Sequence, residues 1–490
     1  MGSQPALPAD FEWGFATAAY QIEGAVAEDG RGPSIWDTFC HLEPSRTKGA
    51  NGDVACDHYH RFEADLDLLS RYGATVYRFS LSWSRLIPLG GRADPVNEAG
   101  LRFYDGLIDG LVRRGIAPWV TLYHWDLPQA LHDRYGGWLD VDEAQRDFER
   151  YARLCFARYG DRVRNWITIN EPWIQAVFGY STGGNAPGRS STNPLCAEGD
   201  SATEPWIVGK ALILSHARAV VAYNQDFRPA QGGRIGISLN GDYYEPWDGA
   251  DSRDCEAAER RMQFQIGWFA NPIFLQSDYP PCMRAQLGDR LPRFDAAELA
   301  LLRAAETDFY GMNYYTAQFA RHRAGPPPAT DYTGNVDERQ HDRAGAPVGE
   351  ASGVGWLRAC PGQFRKHLAR VHRLYGKPIY VTENGCPCPG EDAMTRDEAV
   401  DDHFRIRYFA SHLDALCRAV REDGVPVQGY FAWALLDNLE WSDGYGPRFG
   451  VTFTDYKTLE RTPKKSALLL RHMLAERQGI KLDAEDEQAS

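Results

Sequence analysis

Short apolar runs rich in β-branched and aromatic residues recur along the chain. They are WGFATAAY from Trp13, VYRFSLSW from Val76, PWVTLYHW from Pro118, NWITINEP from Asn165, RIGISLN from Arg234, DFYGMNYY from Asp308, PIYVTENG from Pro378 and GYFAWALL from Gly429. Each reads as a strand. Between them the pattern turns helical, over 57–72, 101–114, 144–159, 201–224, 362–375 and 400–422. Alternating strands and helices predict β-α-β units and a parallel sheet. Eight such units fit an α/β fold, a closed (β/α)8 TIM barrel of one domain with enlarged loops after its strands. An open doubly wound sheet would more often carry a glycine-rich dinucleotide turn, and no G-x-G-x-x-G occurs.

Residues 321–355 are polar and rich in Gly and Pro. This predicts an irregular surface excursion after the sixth strand, on the side where loops build an active site in such a barrel. No internal repeat and no low-complexity linker interrupts the alternation. The expected organisation is an N-terminal tail over 1–10, a catalytic barrel over 11–475 and a C-terminal tail over 476–490.

Composition narrows the function. At about 150 residues per domain, 490 residues would suggest three domains, but α/β barrels run longer as single units. There are 53 basic against 67 acidic side chains, a formal net charge of −14, with no basic cluster. Nucleic acid is therefore not an expected partner. No window approaches the roughly 18 apolar residues of a membrane span, so no membrane association is expected either. The N-terminal residues lack a basic region followed by an apolar one, and no N-x-Ser/Thr acceptor occurs, which points to a cytoplasmic protein. Ten cysteines are scattered over the chain, and Cys386 and Cys388 match neither zinc nor thioredoxin spacing. No metal or cofactor is expected.

In a barrel of this kind, catalytic residues should lie at the C-terminal ends of the strands. Gln21 and Glu23 follow the first run, Arg78 lies in the second, and His124 and Trp125 end the third. Asn170 and Glu171 end the fourth, Asn313 and Tyr315 the sixth, Glu383 the seventh and Trp433 the eighth, before Glu440 and Trp441. Any one of these could be a satisfied buried polar group or a solvated loop residue. Seven strand ends aiming such groups at one mouth are harder to explain that way. Flat aromatics beside amides and carboxylates suit a sugar, which offers C–H faces and a ring of hydroxyls. The phosphate loop, the H-E-x-x-H helix and the G-x-S-x-G elbow are absent. What remains is a pair of glutamates, Glu171 and Glu383, the minimal machinery for cleaving a glycosidic bond.

TINEP (168–172), YVTENG (380–385), AAYQIEG (18–24), YRFSLSWSR (77–85), LYHWDLPQAL (122–131) and LLDNLEW (435–441) resemble the signatures of family one glycoside hydrolases. The resemblance runs from about residue 11 to about residue 470 and is strongest to the non-secreted β-glucosidases of filamentous fungi. It implies that Glu171 is the general acid/base and Glu383 the nucleophile, with Arg78 beside it holding its pKa down. Tyr315 would position the nucleophile. Gln21, His124, Asn170 and Glu440 would bind sugar hydroxyls, with Asn313 and Trp125 also at the substrate. Trp433 would stack on the ring, and Trp441 and Phe449 would line the far side. Core packing alone is the alternative for Trp125 and Phe449. Trp173, Phe178, Asn240 and Trp356 would flank the entrance for the leaving group, with packing or loop anchoring as the alternative. Glu440-Trp441 stands where members acting on phosphorylated sugars carry smaller polar residues. One departure is Ala359-Cys360, where relatives more often place an aromatic before the proline.

The expected activity is retaining cleavage of terminal β-D-glucosyl residues from cellobiose, short oligosaccharides and aryl or alkyl glucosides. The rivals are a preference for β-galactosides or β-fucosides and a silent carbohydrate-binding protein, which the two retained glutamates disfavour.

Overall fold

The eight apolar runs pair side by side into a closed parallel barrel. Its strands are β1 (Glu12–Ala16), β2 (Val76–Ser80), β3 (Ala117–Tyr123), β4 (Asn165–Asn170), β5 (Arg234–Asn240), β6 (Phe309–Asn313), β7 (Ile379–Asn384) and β8 (Val427–Trp433). They follow one another in chain order, and β8 closes on β1 with Glu12 opposite Gly429 and Ala16 opposite Trp433. The computed structural model describes residues 7–480 and 482. The tails expected at the two ends fall partly outside the described residues.

Helices fill the intervals where periodicity placed them: His58–Arg71, Glu98–Arg113, Val141–Tyr159, Glu204–Ala222, Pro361–Tyr375 and His403–Glu422. Local chemistry sets their ends. Asp140, for example, accepts from the backbone N–H groups of Asp142 and Glu143 and so satisfies two donors that the first turn leaves free. Among the described residues, no helix is long and apolar enough to cross a membrane.

Rings seal the barrel at the N-terminal half of its strands. Trp119 of β3 sits 5.3 Å from Phe309 of β6, 4.6 Å from Tyr380 of β7 and 5.0 Å from Phe431 of β8. Such layered filling is what a barrel of eight strands requires. The polar groups beneath this layer pair among themselves, Arg234 with Glu12 and Asn165, and the open mouth lies at the opposite end.

The stretch 321–355 departs from the irregular excursion that its composition predicted. Strands Ala317–His322 and Val336–Arg339 pair antiparallel, and Tyr243–Pro246, after β5, adds to them in parallel. The third strand comes from a segment about 75 positions earlier, so no local pattern could reveal it. Against this small sheet packs the helix Ser252–Met262.

Candidate active site

The mouth of the barrel holds a cavity of about 440 Å³. Two carboxyl groups face it, and the backbone explains how each gets there. Glu171 follows the last residue of β4 and precedes Pro172, which opens the helix Pro172–Tyr180. Its φ of 46° and ψ of 62° are left-handed, a conformation that costs a non-glycine residue about 1–2 kcal/mol. Trp125 and Trp441, both on the cavity wall, share this rare backbone state.

Glu383 owes its direction to an irregularity in β7. Register with β6 slips between Val381 and Glu383, so Glu383 falls opposite Asn313. A bulge breaks the alternation of faces. Thr382 and Glu383 therefore both reach inward, to Asn313 Oδ1 at 2.6 Å and to Arg78 at 2.6 Å respectively. Asn384 turns the other way, accepting from Tyr430 at 2.7 Å and donating to Tyr408 at 2.9 Å.

The two carboxyls sit in unequal surroundings. Glu383 Oε1 accepts from Arg78 Nη1, and its Oε2 accepts from the Tyr315 hydroxyl at 2.6 Å. Glu171 has one bond, from Asn313 Nδ2 to Oε1 at 2.8 Å. Burial pushes both pKa values up. For Glu383, Arg78 and Tyr315 oppose that push, whereas for Glu171 the negative charge of Glu383 adds to it and drives the carboxyl well above the ordinary range. Arg78 acts on Glu383 in the expected direction, lowering its pKa against the larger effect of desolvation.

One bonding network fixes the remaining polar groups. Asn170 Oδ1 accepts from Arg78 Nη2 at 2.6 Å and from Asn313 Nδ2 at 3.0 Å, so its Nδ2 must face His124 Nε2, 2.9 Å away. Burial, with Arg78 nearby, lowers the His124 pKa well below 6.5, so the ring is neutral and its Nε2 accepts. Its proton then sits on Nδ1, which has no protein partner. Gln21 donates through Nε2 to Leu439 O at 2.7 Å and to Asn438 Oδ1 at 3.1 Å, leaving Oε1 free. Glu440 Oε2 is buried and unpaired too, and burial, with Asp443 and Glu383, pushes this carboxyl up to about 8. A free donor, a free acceptor and a carboxylic acid thus converge at the inner end, where unmet buried polar groups are costly. Trp433 supplies an apolar face among them.

The residues expected at the site are found at or directly behind this cavity, except Glu23, which turns away to accept from Arg85 Nε at 3.0 Å and from the Tyr104 hydroxyl at 2.6 Å. His124, Trp125, Glu171, Asn313, Tyr315, Glu383, Trp433, Glu440, Trp441 and Phe449 line it, and Gln21, Arg78 and Asn170 stand just behind. Trp125 also donates to Asn170 O at 2.9 Å, and Phe449 packs 6.0 Å from Tyr315. Trp173, Phe178, Asn240 and Trp356 lie along the outer wall. Among the described residues no three His, Cys, Asp or Glu side chains group as a metal site. Sequence reasoning missed Asp242, Tyr244, Arg261, Gln265, Gln318 and Glu338, which also line the cavity. The position of Asp242 just beyond the end of β5 was the one available signal.

The family model of glycosyl hydrolase family 1 matches residues 3–479. The chain belongs to this family. It is 53% identical over 464 residues to β-glucosidase 1B of Phanerodontia chrysosporium, covering 95% of this chain and 85% of that one. A family 1 β-glucosidase from the fungus Humicola insolens, solved in complex with glucose, superposes with a TM-score of 0.94 at 50% identity, covering 97% of this chain and 99% of that one. A Glu-to-Gln variant of a rice β-glucosidase, solved in a covalent complex with Glc, gives 0.92 at 43% identity, with 96% and 100% covered. This family 1 protein is a glycoside hydrolase built as a single TIM barrel.

Proposed function

We propose that the protein is a retaining β-glucosidase, releasing terminal β-D-glucose from cellobiose, short oligosaccharides and aryl or alkyl glucosides. One observation carries the reading: two buried carboxyls share a cavity in unequal surroundings, Glu383 held by the Arg78 guanidinium and the Tyr315 hydroxyl and Glu171 by the Asn313 amide alone. Glu171 starts protonated and gives its proton to the glycosidic oxygen. Glu383 attacks the anomeric carbon, the bond to the leaving alcohol breaks, and a glycosyl ester forms. That ester removes the charge that raised Glu171. Glu171 then takes a proton from water, the oxygen attacks the same carbon, and Glu383 leaves as carboxylate. Two inversions give net retention. The covalent Glc adduct of the rice relative supports a glycosyl-enzyme here.

The free groups on Gln21, His124 and Glu440 support recognition of a hydroxyl-bearing ring, with Trp433 beneath it. A cytoplasmic location belongs to the same reading, supported by ten unpaired cysteines.

The test is proton NMR of the first-formed product from an aryl β-glucoside, with parallel rates on the β-galactoside and β-fucoside. The expected product is β-glucose, with the glucoside turned over fastest. First-formed α-glucose would refute retention, and a faster galactoside or fucoside would move the specificity. Glu383→Ala should lose at least about a thousandfold in kcat.

A further inference from the structure

Past the end of β6 the chain leaves the barrel ladder, and Tyr314 and Tyr315 belong to no strand. Their backbone carbonyls still need donors, because a buried carbonyl without one is costly. The carbonyls on either side find main-chain partners: Asn313 O accepts from Gly241 N at 3.3 Å and Thr316 O from Tyr243 N at 3.4 Å. Those of Tyr314 and Tyr315 rely on side chains. Asn384 Nδ2 donates to Tyr314 O at 2.7 Å, and the Tyr408 hydroxyl donates to Tyr315 O at 3.1 Å. The second Asn384 amide hydrogen goes to that same hydroxyl, 2.9 Å away. The hydroxyl thus places its one proton on Tyr315 and a lone pair on Asn384.

Tyr408 comes from the helix His403–Glu422, is 2% exposed and lies flat on His412, ring centroids 3.9 Å apart. It does not line the cavity. Phe would serve the ring packing equally well. What the hydroxyl adds is a bridge between two residues beside the reacting carboxyl: Asn384 follows Glu383 in β7, and Tyr315 donates to Glu383 Oε2 at 2.6 Å. We propose that Tyr408 is a positioning residue for the nucleophile: its hydroxyl fixes the Tyr315 main chain relative to β7 and so aims the Tyr315 hydroxyl at Glu383. The inference rests on the β-glucosidase reading, in which Glu383 is the nucleophile. The Tyr315 bond favours the ionised form of Glu383, so loosening it should raise that pKa and carry the acid limb of kcat/KM to higher pH. The other titratable groups around Glu383 are Arg78, Glu171 and Glu440, and a substitution at Tyr408 leaves all three in place.

The experiment measures the pH profile of kcat/KM on 4-nitrophenyl β-D-glucoside for wild type, Tyr408→Phe, Tyr315→Phe and the double variant. Tyr408→Phe keeps the ring and removes the bridge. The expected result is a maximum about tenfold below wild type, with the acid limb higher by about half a pH unit or more. In the Tyr315→Phe background the same substitution should cost less than about twofold and shift nothing further, since a group acting through another has no effect once that other is gone. Equal fold-losses in the two backgrounds overturn the proposal. So does a loss of height with an unmoved acid limb, which is the behaviour of a tyrosine that only packs. If Tyr408→Phe does not fold, Asn384→Ser, which removes the amide that orients the Tyr408 hydroxyl, enters the same four-protein comparison and is judged by the same two criteria. Failure of the wild type to cleave any β-glucoside would instead remove the β-glucosidase reading itself.

Discussion

Asn313 Nδ2 donates to Glu171 Oε1 at 2.8 Å while the backbone of Asn313 lies in register with Glu383 across β6 and β7. One amide therefore stands between the two carboxyls and favours the ionised form of both. Removing it with Asn313→Ala should raise both pKa values. The bell-shaped profile of kcat/KM should then move to higher pH on both limbs, with a loss of roughly tenfold at its maximum. A profile that loses height without moving would show that Asn313 acts on shape alone.

Glu171→Ala removes the proton donor but leaves Glu383 its Arg78 and Tyr315 bonds. Cleavage of cellobiose should fall by about 10²–10⁴-fold, while a dinitrophenyl glucoside, whose leaving group needs no proton, should still glycosylate the enzyme. Added azide should restore turnover and yield the β-glucosyl azide, identified by its anomeric proton coupling. An α-azide, or no rescue, would contradict the two-step scheme.

Glu440 is an acid below about pH 8 and a carboxylate above it. In wild type, KM for an aryl glucoside should therefore rise between pH 7 and pH 9, as a donor to the sugar is lost. Glu440→Gln has no proton to lose, so its KM, higher than wild type at pH 6, should stay level over that range. Parallel curves for the two proteins would detach Glu440 from recognition.

Far from the substrate, Glu391 is buried between Arg405 Nη2 and Lys464 Nζ, both at 2.5 Å. Burial opposes its charge, but the two cations win and hold its pKa down to about 2. Its contribution to stability is present above the ordinary carboxylate range and is lost as pH falls toward 2. Glu391→Gln should cost about 3 kcal/mol at pH 7 in urea unfolding, since it takes one carboxylate from each of two buried cations and leaves Arg405 to Asp402 and Lys464 to Asp437 alone. The gap in Tm between the two proteins should narrow below pH 4. A gap of constant size would show that the charge of Glu391 is immaterial.

Much of this architecture was legible because it is written in local pattern. Continuous apolar runs marked β1 to β8, and the polar residues ending them, Glu171 and Glu383 included, lie on one cavity. Other features depend on neighbours remote in sequence. Arg261 and Glu338 meet across 77 positions, one on a polar helix and the other in a stretch that reads as irregular. Gln265 reaches the cavity through a helical turn that no periodicity announces. Arg78 could be named from the motif as the partner of Glu383, but the depth of burial that opposes it could not.

The ring layer of Trp119, Phe309, Tyr380 and Phe431 makes the barrel a cul-de-sac. On the proposed two-step scheme a polymer could present only its chain end to Glu383, and the departing alcohol occupies the mouth by which water must arrive and the cleaved sugar must later go. Exit on that scheme is sequential, and whatever lingers in the doorway, be it water or a second saccharide, is next in line for the glycosyl ester.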